Sequence, residues 1–154
     1  MKLQRIRGVA TLPTVMILGV MLLTVAVSIT AVSLTESFIS QGSTQSSKAL
    51  FYAEAGARDA LIKIARNKNY SCATTDCYSV DFSSNGCSAL SGCAKISVSS
   101  DAGTTANPKI ITSKGTVKTN TRTLQVSVVL DGGTTVAADQ YGAITSATWT
   151  EIKN

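Results

Sequence analysis

The sequence predicts an α+β chain in which a long N-terminal α-helix packs on a small antiparallel β-sheet, and three observations carry that prediction. Residues 8–35 contain no charge. Between Glu36 and Lys68 apolar residues recur at three- and four-residue steps, the period of one helix face. From Ala94 onward the period changes to two, as in half-buried strands. The segments expected are therefore a short basic stretch at 1–8, a membrane-spanning helix at 9–35, an amphipathic helix at 36–68, a cysteine-bearing loop at 69–93 and a sheet at 94–154. At 154 residues, 44% apolar and 15% charged, the chain suits one such domain and is too apolar to be disordered.

The run Val9 to Leu34 is 26 residues long. As a helix it extends about 39 Å, more than the roughly 30 Å hydrocarbon core of a bilayer. A cleaved secretory signal usually has an apolar region of about 7–15 residues, so this run is too long for one, although Ala26-Val27-Ser28 and Ala31-Val32-Ser33 resemble small-x-small cleavage sites. An ordinary uncleaved signal anchor would keep residue 1. Lys2, Arg5 and Arg7 flank the run and hold the N-terminus in the cytoplasm, so everything after residue 36 is expected outside it. The net charge of +5 owes three units to those residues; the other 11 basic and 9 acidic residues are interspersed. No basic stripe follows phosphates, and no specific nucleic-acid partner is predicted.

The leader MKLQRIRG ends in glycine directly before the apolar stretch. It resembles the class III signal of type IV prepilins, which implies cleavage after Gly8 by a prepilin peptidase on the cytoplasmic side and N-methylation of the new first residue, Val9. Family members usually carry phenylalanine first and glutamate fifth in the mature chain, where this sequence has Val9 and Pro13. That glutamate neutralises a neighbouring subunit's N-terminal amine, and some minor pilins and pseudopilins lack it. Pro13 suits a helix's first turn, where the missing N–H costs little. Pro13, Ile17, Leu22, Val25 and Ile29 are the residues expected to face lipid before assembly and like helices afterwards.

In the second helical half, Leu50, Ala53, Ala57, Leu61 and Ile64 share one face, with Glu54, Arg58 and Lys63 opposite. Glu54 and Arg58 are placed for an i,i+4 ion pair worth a few tenths of a kcal/mol. The stretch Ser40-Gln41-Gly42-Ser43-Thr44 is poor in helix formers and predicts a bend or a melted turn. Lys48-Ala49-Leu50-Phe51-Tyr52-Ala53-Glu54-Ala55-Gly56-Ala57 is similar to the small-residue helix that follows the anchor in PilX-type minor pilins, extending the resemblance to about residue 68. Its small side chains permit close approach to a sheet.

Cys72, Cys77, Cys87 and Cys93 lie within 22 residues in a Ser-, Asn- and Gly-rich stretch. The spacing lacks a C-x2-C knuckle, which disfavours zinc, and lacks a C-x-x-C redox pair. Two disulfides are expected outside the membrane, each adding roughly 2–4 kcal/mol; four cysteines permit three pairings, of which nested (72–93 with 77–87) and sequential (72–77 with 87–93) are the first two candidates. Asn69-Tyr70-Ser71 is a formal glycosylation triplet.

The strand pattern places Ile96 and Val98, then Ile110 and Thr112 with Gly115 to Val117, then Leu124, Val126, Val128 and Leu130 on apolar faces. Turns are read at residues 100–103, at Thr119-Asn120 and at Asp131-Gly132-Gly133, with a hairpin across 117–124. Ile144 to Ile152 is a candidate last strand, with Trp149 packing on the core or marking an edge. The expectation is a four-stranded antiparallel meander covered by the amphipathic helix, which is also the head architecture the pilin resemblance implies. The abundant Ser and Thr suit a solvated sheet face.

A chain without histidine lacks a Ser/His/Asp or Cys/His catalytic set and any His-containing metal site. Asp76, Asp81, Asp101 and Asp139 sit in turn-like polar contexts without a nucleophile or metal motif. No enzyme activity, cofactor or metal is therefore expected. The resemblance implies a structural subunit of a type IV pilus-like filament, a minor pilin or pseudopilin. Its partners would be other pilin-like subunits, the prepilin peptidase, an inner-membrane assembly platform and membrane lipid before assembly; its place, the cell membrane and then a surface pilus or periplasmic pseudopilus. The alternative is a single-pass anchored adhesin or binding domain that does not polymerise.

Overall fold

The computed structural model of the chain describes residues 11–131 and 141–152. One helix, α1 (Thr11–Arg66), precedes five strands: β1 (Tyr78–Asp81), β2 (Cys93–Val98), β3 (Lys109–Val117), β4 (Asn120–Leu130) and β5 (Ile144–Ile152). The chain divides into two compact units, one ending at Gln41 and one beginning at Gly42. The melted turn expected around Gly42 does not occur: residues 40–44 are all helical. One glycine costs about 1 kcal/mol in a helix, too little to interrupt a ladder with strong helical sequence on both sides.

The second unit is a helix laid on a sheet. Its strands run in the order β1-β2-β3-β4-β5, each neighbouring pair antiparallel. The four-stranded expectation is thus corrected to five, because β1 lies within the cysteine-bearing stretch. That strand was illegible in the sequence: four residues between polar turns are too few to display a period.

Cross-strand partners share a face, so the register divides the sheet in two. Ile96, Val98, Ile111, Leu124, Val126, Val128 and Leu130 are buried on one face. Against it α1 places Ala49, Ala53, Ala57, Ala60 and Ile64, each fully buried. Leu50 and Leu61, expected on that face, are only half-buried at its margins, and the line of closest approach is alanine. The phase of β3 is also corrected. Residues 109, 111, 113, 115 and 117 face the helix, whereas Ile110 and Thr112 point outward. The reason is steric: a Cβ on Gly115 would lie 2.6 Å from the Ala53 amide nitrogen, and one on Gly56 would lie 2.7 Å from Ala94 Cβ. Glycines at the crossing let the two backbones approach, and this selects the face that the apolar count in β3 misjudged.

At the helix end, Lys63 and Arg66 occupy the last turn, where positive charge suits the exposed carbonyls. Asn67 N–H donates to the Lys63 carbonyl at 2.9 Å. The i,i+4 ion pair on this stretch joins Asp59 and Lys63 at 3.0 Å, and Arg58 instead lies over the Trp149 ring, 5.8 Å from its centroid. Trp149 is the register partner of buried Val126, so it faces the helix, but on an edge strand it stays 38% exposed.

Candidate functional site

The first unit carries the segment singled out for membrane or filament contact. Every large apolar side chain reported there, from Leu12 to Ile39, is 56–72% exposed. Ile17, Leu22, Val25 and Ile29 are among them, and Pro13, also exposed, sits in the first described turn of α1. The helix is long and apolar enough to cross a membrane. Its hydroxyls are accommodated within the helix: Thr24 donates to the Met21 carbonyl, Ser28 to Thr24, Thr30 to Ala26 and Thr35 to Val32, at 2.7–2.9 Å. A hydroxyl bonded to the preceding turn adds no unsatisfied polar group in hydrocarbon. Gly8 and Val9, the expected cleavage and methylation positions, lie outside the described residues, as do Lys2, Arg5, Arg7 and Asp139.

In the second unit the cysteines pair sequentially, Cys72 with Cys77 and Cys87 with Cys93, with Cα separations of 5.8 and 5.1 Å. The nested alternative is excluded by the strands: Cys93 opens β2 while Cys72 bridges to Val98 at its far end. Asp81 and the sulfurs of Cys87 and Cys93 lie within 4.8 Å of one another. The sulfurs are bonded together and offer no thiolate, and Asp81 Oδ1 accepts the Cys87 N–H at 2.9 Å. This carboxylate therefore fastens the loop.

A second polar cluster joins α1 to β1. Lys63 Nζ lies 3.3 Å from the centroid of the Tyr78 ring and 5.9 Å from that of Tyr70. Burial, reinforced by the adjacent Asp59 carboxylate, raises the Tyr78 hydroxyl well above the usual tyrosine range. Lys109, one of two buried polar side chains noted in the core, reaches the Tyr70 carbonyl at 3.1 Å and the Ser99 carbonyl at 3.5 Å. Burial lowers its ammonium pKa from 10.5, against the opposing pull of Asp101. Sequence reasoning missed Lys109; it is legible only once β3 is placed in its odd phase. Of the candidate acids, Asp76 pairs with Lys95 at 3.3 Å, and neither Asp81 nor Asp101 joins it in a paired-carboxylate site.

These features define a class, a chain with a small disulfide-stapled α+β head and an exposed apolar helix of membrane-spanning length. No known protein family, curated protein or solved structure matches the chain.

Proposed function

We propose that the chain is a structural subunit, of the minor-pilin or pseudopilin kind, of a type IV pilus-like surface filament. A prepilin peptidase removes residues 1–8, Val9 becomes the N-methylated first residue, and an inner-membrane assembly platform moves the helix from lipid into contact with those of other pilin-like subunits. One observation carries the reading. The head closes its core with residues from Ala49 onward, while the apolar side chains from Leu12 to Ile39 take no part in it. Such a surface is stable only against lipid or like helices, and contact among these segments supplies the filament's cohesion. The basic leader ending in Gly8 supports the lipid-then-filament order.

A second reading is a permanently anchored extracytoplasmic adhesin or binding domain, favoured by the lack of any acid between residues 8 and 35 to direct subunit pairing. Intact mass and N-terminal sequencing of the protein from its own cells separate the two. A chain beginning at Val9 supports the filament subunit. A chain beginning at Met1 refutes it and leaves the anchored domain.

A further inference from the structure

The sheet ends on two unlike edges. β1 is four residues long and has a disulfide on either side of it in the chain. β5 spans nine residues, and among the described residues no strand lies on its far side. We infer that this free edge of β5 pairs with β5 of a second copy of the chain, antiparallel and about a two-fold axis at Thr148. A filament subunit and an anchored domain would present the same edge, so neither reading is presupposed.

The edge is built for pairing and is unguarded. Ile144, Thr145, Thr148, Trp149, Thr150 and Ile152 are β-branched or aromatic, the types that favour strands. Edge strands in soluble proteins are commonly blunted by lysine, proline, a bulge or shortness. β5 has no lysine and no proline, and its one charge, Glu151, is paired with Arg122 of β4. The register shift against β4 falls at Thr145 and leaves residues 146–152 in unbroken register. Apart from Ala147 and Glu151, every residue of the strand is exposed.

The order of its side chains is self-complementary, which commits the edge to a second copy. Antiparallel pairing centred on Thr148 sets that residue against its own counterpart, Ser146 against Thr150, and Ala147 against Trp149. Ser146, Thr148 and Thr150 lie on the outward face, and Ala147 and Trp149 on the face that carries the helix. Hydroxyls thus meet hydroxyls, and the bulky indole meets a methyl group. Centring the axis on Trp149 instead would bring together two indoles that each hold an Arg58 guanidinium, placing like charges side by side.

The pairing also fits around α1. A two-fold axis perpendicular to the sheet keeps both helices on one face. The Gly115 crossing on β3 and its counterpart would be five strand spacings apart, about 24 Å, roughly twice the width of a helix, so neither helix need move. The same axis reverses α1, and the Gly42 ends of the two helices point in opposite directions. The pair therefore joins heads carried on separate membranes or filaments rather than neighbours in one.

The test uses the full-length protein in detergent micelles. Thr148→Cys places a thiol on the axis and should give a covalent dimer under mild oxidation, whereas Thr112→Cys, outward on β3 and away from the edge, should not. Trp149 is the one tryptophan of the chain, so its fluorescence should shift to the blue as the parent protein is concentrated. Thr148→Lys sets two cations on the axis and should weaken self-association about fivefold and reduce that shift; unaltered melting temperatures establish that each variant is folded. Equal cross-linking through Thr112→Cys would mean random collision, and undiminished association of Thr148→Lys would mean contact through the apolar helices. Either result, or a parent whose fluorescence is independent of concentration, would overturn the pairing.

Discussion

Replacing Gly115 with alanine tests the claim that helix and sheet meet backbone to backbone. Gly115 has ordinary strand dihedrals, so alanine brings no torsional strain and should restrict the unfolded chain, a gain of about 0.4–1 kcal/mol. Against this, the new Cβ would overlap the Ala49 carbonyl oxygen and lie 2.6 Å from the Ala53 nitrogen. Both are backbone atoms of α1 and neither can rotate aside. The helix must retreat until ordinary contact of 3.4 Å or more returns, which loosens Ala53, Ala57 and Ala60 against the sheet. Overpacking costs about 1–3 kcal/mol, and a clash with backbone on both sides belongs at the upper end. The net expectation is a loss of about 2 kcal/mol, or about 8 °C in melting temperature for a head of this size. Thermal unfolding by circular dichroism, in the micelles that hold the full chain, reads it directly. Gly42→Ala, whose Cβ meets nothing within 4 Å, is the control and should stabilise by up to about 1 kcal/mol. A Gly115→Ala chain that melts at or above the parent temperature would refute the close crossing.

The remaining predictions concern covalent pairing, a buried charge and the division of the chain. Cleavage before aspartate without reductant separates 59–75, 76–80 and 81–100; sequential pairing leaves the first two joined and the third closed on itself, whereas nested pairing joins all three. Lys109 has a folded pKa lowered below its unfolded value near 10.5, so between the two the unfolded chain binds more protons, and this residue's contribution to stability rises with pH. The melting temperature of the parent relative to Lys109→Met should therefore climb as pH is raised toward about 10.5, and a flat or falling difference would contradict the burial assigned to it. A chain beginning at Gly42 keeps the whole core and should be soluble without detergent, with the parent's thermal transition; aggregation of that fragment would show that the apolar segment is needed to fold the head.

The legible parts of this fold were those with a long, unambiguous period. The uncharged run to Thr35 and the alternation of Leu124, Val126, Val128 and Leu130 correspond to an exposed apolar helix and a central strand. What was illegible depended on partners distant in sequence. The phase of β3 is set by Gly115 and Ser113 under the helix, where small size outweighs hydrophobicity, and apolar counting favoured Ile110 over Ile111 by one position. The apparent weakness of residues 40–44 was a local propensity overridden by its neighbours. Arg58 found Trp149 rather than Glu54 because the edge strand brings an aromatic ring to it, a contact across 91 positions that no helix spacing encodes. Of the candidate sites, the cysteines were legible as bridges and their pairing was not.

The placement of those bridges has a mechanical meaning. An alanine face buries little area per residue, so α1 holds the central strands by proximity rather than bulk, and the short edge strand β1 adds only Tyr78 and Val80 to the packing. Cys77 immediately precedes β1, with Cys72 in its own bridge to Val98, and the second disulfide closes the loop that carries the chain from β1 into β2. At these sequence separations each closure is worth about 2 kcal/mol. Covalent closure thus reinforces the small share of the core that β1 contributes and protects one edge of the sheet from pairing with other chains. Reduction should accordingly act locally. In hydrogen exchange, the amides of Tyr78–Asp81 and their partners in β2 should lose protection first, while β3 and β4, paired on both sides, keep theirs. Simultaneous loss across all five strands would mean that the bridges support the entire head, and that β1 is integral to its cooperativity rather than clamped onto it.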